Sequence, residues 1–144
     1  MSASLIMGNW KLNGSLIAID QFAEQWRALA PSSSAEVVIC APTPYLLHLR
    51  KQLPELALGA QDCSEHESGA YTGEVSAQML LDVGCRWVIT GHSERRLYHA
   101  EADCLVAAKA TAAQRAGLHA VVCCGETLAQ REAGAQLAVV EAQL

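Results

Sequence analysis

The feature that most constrains the fold of this chain is a strand-and-helix unit that repeats about every 30 residues, the length of a βαβ unit. Five short apolar runs recur along the sequence, each bounded by turn residues. They cover residues 5–10, 36–41, 57–61, 86–90 and 119–124. We predict a strand at each run and a helical connection between successive strands.

The segments between the runs have the spacing of amphipathic helices. The clearest places Ile19, Phe22, Ala23, Trp26, Leu29 and Ala30 on one side of a helix. A second helix is predicted from Ser76 to Gly84, since serine caps helix N-termini and glycine ends helices. Its apolar residues are Met79, Leu80 and Val83, and those of a third helix, ending at Gly117, are Leu105, Ala112 and Ala116. Thr127 and Gln130 predict a capping box that opens one last helix. Its apolar side consists of Ala133, Leu137, Val140 and Leu144.

Alternating strands and helices indicate parallel strands joined by right-handed crossovers. A doubly wound open sheet and a β/α barrel both meet this condition, and the pattern alone leaves both open. A barrel of eight units needs about 250 residues, so we expect residues 1–144 to form one domain with about five of the eight units. Such a partial (β/α)8 barrel would have two unpaired edges. The sequence contains no G-x-G-x-x-G after the first strand and no P-loop, which disfavours the common nucleotide-binding open sheets.

Charge and composition argue against several kinds of partner. The net charge is −5 and the ten lysines and arginines are scattered, so we expect no nucleic-acid surface. Residues 1–10 have no basic region and no apolar run long enough for a signal sequence or a membrane span. We therefore expect a cytoplasmic protein with no membrane partner. The six cysteines are expected to be reduced thiols, and their spacing matches no zinc motif.

Two polar residues lie at the end of the first predicted strand, Asn9 within it and Lys11 directly after it. Asn9 and Lys11 are two residues apart, so on a strand their side chains would share one face. Catalytic side chains gather at the carboxyl ends of barrel strands. A lysine there would offer positive charge to a phosphorylated substrate or to a developing oxyanion. The alternative interpretation is an ordinary solvent-exposed lysine.

A second set of polar residues follows the fourth predicted strand, in the sequence T-G-H-S-E-R-R at residues 90–96. Gly91 allows a tight turn, and Ser93 is the predicted N-cap of a helix. His92 would then lie at the N-terminal end of that helix. The positive end of a helix favours a neutral imidazole, which can donate to a carbonyl oxygen and transfer protons between adjacent oxygens. A structural histidine bonded within a loop is the alternative. The other histidines, which lack metal spacing and are interpreted as structural or solvated, are His48, His66, His99 and His119.

Two further regions lie at predicted strand ends. Cys123 lies near the end of the fifth predicted strand, where a nucleophilic thiol is conceivable but packing of a small apolar side chain is the favoured interpretation. Residues 62–75 form a long connection that contains Tyr71 and two glycines, Gly69 and Gly73. Long ordered loops of this kind usually carry function.

Four motifs occur together and in a fixed order. They are G-N-W-K-L-N-G at residues 8–14, G-A-Y-T-G-E at 69–74, G-H-S-E-R-R at 91–96 and C-C-G-E at 123–126. In this combination the chain resembles the triosephosphate isomerase family, most of all its bacterial members. The resemblance implies a TIM (β/α)8 barrel of which this chain is the N-terminal portion. It also implies interconversion of dihydroxyacetone phosphate and D-glyceraldehyde 3-phosphate through an enediolate, in glycolysis and gluconeogenesis, without metal or organic cofactor.

The resemblance also implies roles for four residues of the predicted site. Lys11 would be the electrostatic residue, and His92 the neutral electrophile and proton shuttle. Asn9 and Glu94 would be their polar supports, and Asn9 and Lys11 would contact the substrate. Cys123 would lie near the site.

The loop that contains Tyr71 resembles the family's dimer loop, which reaches into a neighbouring subunit. A homodimer is therefore implied for the complete barrel. Thr72 would support Asn9 across the interface, and Glu74 would pair with Arg95.

The chain also departs from the family pattern. Nothing in it resembles the segments that carry the catalytic glutamate, the lid or the glycine-rich phosphate loops, so we expect the chain to be inactive alone. Cys124 stands where the family usually has an aliphatic residue. Two adjacent thiols, Cys123 and Cys124, at the carboxyl ends of the barrel strands predict sensitivity to oxidation. A non-enzymatic module that associates through its sheet edges is one alternative. Another is an open-sheet phosphate-binding protein, for which Asn13-Gly14 supplies too little of a glycine-rich loop.

Overall fold

The computed structural model of the protein describes residues 4–29 and 35–144. The strands are β1 Leu5–Asn9, β2 Glu36–Cys40, β3 Ala57–Ala60, β4 Cys85–Thr90 and β5 His119–Val122. The helices are α1 Leu16–Leu29, α2 Leu46–Gln52, α3 Ala77–Asp82, α4 Ser93–Tyr98, α5 Asp103–Ala116, α6 Leu128–Glu132 and α7 Gln136–Gln143. A 3₁₀ turn, Thr43–Tyr45, precedes α2. The five predicted strands are confirmed, with bounds that differ by at most two residues.

The order of the strands decides between the two architectures that the sequence leaves open. The sheet has the order β1-β2-β3-β4-β5, and every neighbouring pair is parallel. A doubly wound sheet reverses its order at a switch point, whereas here each crossover steps in the same direction. Right-handed crossovers of that kind place the helices on one face of the sheet. The fold is therefore a curled sheet of barrel type, a partial (β/α)8 barrel.

The outer face of the sheet holds most of the buried core. Ile39, Leu58 and Val88 pack there against residues of the helices, among them Leu46 and Leu49 of α2. Both leucines are fully buried, and each contributes about 1.5–3 kcal/mol relative to an exposed position. The outer layer thus fixes the helices on the sheet.

The inner face has a smaller core. Val38, Cys40 and Ile89 are its buried members, with Met7 and Trp87 packed beside them. Gly59 belongs to the same face. A Cβ at that glycine would lie 2.4 Å from Sγ of Cys40, so only glycine lets β2 and β3 bring their inner residues this close.

Two helix predictions are wrong in detail. The predicted last helix is interrupted, because Gly134 has a φ of +72° and separates α6 from α7. Its capping box is confirmed, since Thr127 and Gln130 bond each other's backbone groups. In α5 the buried side is shifted from the predicted one and consists of Val106, Lys109, Ala110 and Ala113. A lysine on that side hid the true apolar period.

The first helix follows its prediction in part. Ile19 and Ala23 of α1 are buried, and Phe22 packs between Trp10 and Trp26. Leu29, predicted on the same side, is 76% exposed, and Ala30 lies outside the described residues. Among the helices that the structure describes, none is both long and apolar enough to cross a bilayer.

Candidate active site

Lys11 lies just beyond the carboxyl end of β1. The strand ends at Asn9, one residue before its predicted end, and Lys11 lies in the loop that follows. Its φ is +51°, a left-handed conformation that costs a non-glycine residue about 1–2 kcal/mol. The backbone N–H of Lys11 donates to Oδ1 of Asn9 over 2.9 Å, and its carbonyl oxygen accepts from Nε2 of Gln61, also over 2.9 Å. Neighbouring side chains therefore bind both backbone groups of this strained residue.

The ammonium of Lys11 reaches across the sheet to the start of α4. Its Nζ lies 2.7 Å from Oε1 of Glu94, and the two side chains are 52% and 45% exposed. The hydrogen bond from Lys11, together with the charge of its ammonium, lowers the pKa of Glu94. Glu94 is thus an ionised partner of the lysine at neutral pH.

His92 is the N-cap of α4, whereas the sequence predicted Ser93 in that place. Its Nδ1 accepts the backbone N–H of Glu94 over 3.2 Å, a closer contact than the 3.5 Å to Oε2 of Glu94. The imidazole replaces the predicted hydroxyl as cap because Gly91, at φ +66°, turns the chain directly before it. An accepting Nδ1 leaves the proton of the neutral ring on Nε2. His92 is therefore positioned as a hydrogen-bond donor through Nε2.

These residues surround one open cavity of about 510 Å³ at the carboxyl end of the sheet. It is lined by Asn9, Lys11, Leu12, Asn13, Gln61, His92, Glu94, Arg95, Tyr98 and His99. Two cations, one carboxylate and two histidines are suited to a small anionic ligand whose oxygens need both charge and a neutral hydrogen-bond donor.

Comparison with known proteins identifies the family. The sequence model of the family described as triosephosphate isomerase matches residues 4–144. The chain belongs to the triosephosphate isomerase family. It is 51% identical over 144 residues to the triosephosphate isomerase of Bordetella pertussis, a match that covers 99% of this chain and 58% of that relative. It is also 51% identical over 146 residues to that of Dechloromonas aromatica, covering 100% of this chain and 59% of the relative. The chain thus spans less than two thirds of the length of these relatives.

A buried charge network that the sequence analysis missed lies behind the cavity of this triosephosphate isomerase family member. Lys109 is 3% exposed, and its Nζ lies 2.6 Å from Oε1 of Glu101 and 2.8 Å from Oδ2 of Asp62. Arg95 contacts the same two acids, at 2.6 Å and 2.8 Å. The helical step from Val106 to Lys109 was the available signal, because it places this lysine on the buried side of α5.

The two acids of the network respond differently to burial. Burial alone would raise the pKa of Glu101, but hydrogen bonds from Lys109 and Arg95 outweigh it and leave that pKa lowered. At Asp62 burial is the stronger influence, and the pKa is raised despite the same two cations. Glu101 is therefore the acid whose charge the network holds most firmly.

The predicted interface residues occupy exposed positions. Tyr71, Thr72 and Glu74 are exposed in the connection 62–75, and the Tyr71 ring stacks on His66 with centroids 3.7 Å apart. Arg95 bonds acids of its own chain, and no described contact joins it to Glu74 within residues 4–29 and 35–144. The pairing of Glu74 with Arg95 across subunits stays a prediction.

Cys123 is half-buried and packs against the inner core of the sheet. Burial raises the pKa of its thiol, so the protonated form dominates at neutral pH and a nucleophilic role is disfavoured. Cys124 is exposed. In the described part of the chain, no group of three or more His, Cys, Asp or Glu side chains could hold a metal ion.

Proposed function

We propose that this chain forms the lysine and histidine half of a triose-phosphate isomerase site, which interconverts dihydroxyacetone phosphate and D-glyceraldehyde 3-phosphate through an enediolate. The observation that carries the proposal is the cavity in which Lys11, His92 and Glu94 meet at the strand ends. The family resemblance implies that Lys11 is the electrostatic residue, His92 the proton shuttle and Glu94 a polar support.

The chemistry assigns one task to each residue. A base removes a proton from the carbon next to the carbonyl, and the carbonyl oxygen gains the negative charge of the enediolate. Lys11 stabilises that charge, and Nε2 of His92 donates to the oxygens and moves a proton between them. Asn9 binds the backbone N–H of Lys11 and holds the lysine beside the substrate.

The general base is the part that we propose this chain does not supply. Glu94 is bound to Lys11 at 2.7 Å, and its lowered pKa makes it a weaker base than a free carboxylate. The base, the lid and the phosphate loops would belong to the remaining units of a complete barrel. Alone, the 144-residue chain would bind the substrate weakly and not turn it over.

Residues 1–144 would form one domain of a cytoplasmic protein in glycolysis and gluconeogenesis. The complete barrel would be a homodimer. Exposure of Tyr71, Thr72 and Glu74 supports an interface at the connection 62–75. Arg95 bonds Asp62 and Glu101 within the chain and would pair with Glu74 across that interface.

A non-enzymatic assembly module is the second candidate function, because β1 and β5 each have a strand on one side only in the described sheet. Ile6 and Val122, on these edge strands, are 57% and 40% exposed. Edges of this kind favour association with another chain. Light scattering of the 144-residue chain tests this second candidate, since an assembly module would be an oligomer in solution.

The test combines a coupled isomerase assay with intact mass spectrometry. At a mass of 15.4 kDa we expect no turnover, and turnover at that mass would show that a base is present. A chimera completed with the missing units of the Bordetella pertussis relative should turn over. His92→Gln in that chimera should lose about 10²–10⁴ in kcat, whereas His48→Gln, on the outer surface, should not. A folded chimera without activity would contradict the proposal.

A further inference from the structure

Gln61 directly follows β3 and lines the cavity. By strand alternation it shares the inner face of the sheet with Ala57 and Gly59. A primary amide has two N–H donors, and both are used here. Nε2 of Gln61 donates to the carbonyl oxygen of Lys11 over 2.9 Å and to that of Cys40 over 3.0 Å.

The amide thereby joins the carboxyl ends of three neighbouring strands. The carbonyl oxygen of Cys40, the last residue of β2, also accepts the backbone N–H of Trp10 over 2.9 Å. Gln61 and Trp10 therefore donate to the same carbonyl oxygen, and Trp10 directly precedes the left-handed residue Lys11. The loop that follows β1 is therefore bonded to β2 and to β3 on the inner side of the sheet.

We propose that Gln61 is a positioning residue that holds the backbone of Lys11 in its left-handed conformation, so that the ammonium lies in the cavity beside Glu94. Asn9 binds the N–H side of Lys11, and Gln61 binds its carbonyl side. A left-handed lysine reverts readily to an extended backbone when such bonds are absent. That change would redirect the side chain away from the cavity.

Two substitutions remove the donors while keeping the size of the side chain. Gln61→Glu places carboxylate oxygens against two carbonyl oxygens, and Gln61→Met removes the polar group without adding charge. The matched control is Gln78→Glu, because Nε2 of Gln78 also donates to an oxygen, that of Asp82 at 3.0 Å, but on the exposed side of α3. If Gln61→Glu prevents folding, Gln61→Met decides the question.

The experiment uses isotope-labelled 144-residue chain and two readouts. In a left-handed residue the amide hydrogen lies close to the α-hydrogen of the same residue, so the intraresidue nuclear Overhauser effect of Lys11 reports its φ. The second readout is titration with dihydroxyacetone phosphate, and this readout alone rests on the proposed function.

We expect a strong Lys11 signal in the wild type and in Gln78→Glu, and a weak one in both Gln61 variants. The dissociation constant for dihydroxyacetone phosphate should rise at least about tenfold in the Gln61 variants, equal to about 1.4 kcal/mol. A strong Lys11 signal in a folded Gln61 variant would overturn the inference. If no chain binds the ligand but the Gln61 variants lose the signal, the positioning role stands and the proposed function loses its support.

Discussion

Two lysines of this chain form ion pairs of nearly equal length in opposite environments. Nζ of Lys11 lies 2.7 Å from Glu94, and both side chains are about half exposed. Nζ of Lys109 lies 2.6 Å from Glu101, and those side chains are 4% and 2% exposed. Distance alone would rank the two pairs as equivalent.

Burial separates them. Water screens the exposed pair, which is worth about 0–1 kcal/mol to stability, and leaves the ammonium free to exchange Glu94 for a ligand oxygen. The buried pair has lost its water, so each charge depends on the other and removal of one costs several kcal/mol. The exposed ion pair at the cavity can therefore take part in binding, whereas the buried ion pair stabilises the fold.

The largest expected effect is that of Lys109→Met. Glu101 and Asp62 would then share one remaining cation, Arg95, in a buried site. The free energy of unfolding should fall by about 3–5 kcal/mol, measured by urea denaturation. Lys51→Met, at an exposed position of α2, is the control and should stay within about 0.5 kcal/mol of the wild type. Equal losses in both variants would remove the distinction between buried and exposed lysines.

The pH dependence of stability should also depend on the buried pair. Because the folded-state pKa of Glu101 is lowered from its ordinary 4.5, only the unfolded state binds its proton as the pH falls below that value. The stabilisation by Glu101 is complete above about pH 4.5 and is lost as the pH drops through the folded-state pKa.

The Glu101→Gln variant tests this sign. It should be less stable than the wild type at pH 7, and its unfolding free energy should fall less steeply below about pH 4.5. Asp62 does not mimic the effect, since its raised pKa acts in the opposite direction. Denaturation curves between pH 3 and 7 supply the measurement, with exposed Glu132→Gln as control. A steeper acid loss in Glu101→Gln would reverse the assignment.

At the exposed pair, Lys11→Met should affect binding more than stability. We expect the dissociation constant for dihydroxyacetone phosphate to rise about tenfold or more, because a desolvated charge on the ligand loses its partner. The free energy of unfolding should change by less than about 1 kcal/mol. Calorimetric titration and urea denaturation of Lys11→Met and Lys51→Met measure both quantities. A binding loss shared by Lys51→Met would mean a non-specific charge effect.

The smallest expected quantity is the coupling energy of the exposed pair. A double-mutant cycle on unfolding, with Lys11→Met and Glu94→Gln, should give less than about 1 kcal/mol. The same cycle with Lys109→Met and Glu101→Gln should give a clearly larger value. Equal coupling energies in the two cycles would show that burial does not distinguish the pairs.

Much of the candidate site could be predicted because its residues are neighbours in sequence. Asn9 and Lys11 lie at the end of one strand and His92 follows another, so local spacing was sufficient to name these three, whereas Glu94 was named from the family resemblance. The cap at His92 was misassigned, since the conformation of Gly91 decides which residue faces the helix. Gln61 was missed because its partner Lys11 lies 50 positions away, and Lys109 was missed although Glu101 is 8 positions away, since its other acid, Asp62, is 47 positions away.

By itself, the sequence determined the five strands, the parallel sheet, the polar residues after β1 and β4 and the family resemblance, because hydrophobic period, caps and short motifs act over a few residues. Only the tertiary structure decided that the strands follow in the order of a barrel, that Lys109 is buried, and that Gln61 binds Lys11. These facts depend on which distant segments share a sheet edge or a desolvated space. The helical step from Val106 to Lys109 indicates the buried side of α5, but it does not say which acids lie there, and the free energy of a buried charge is set by the residues that the fold brings around it.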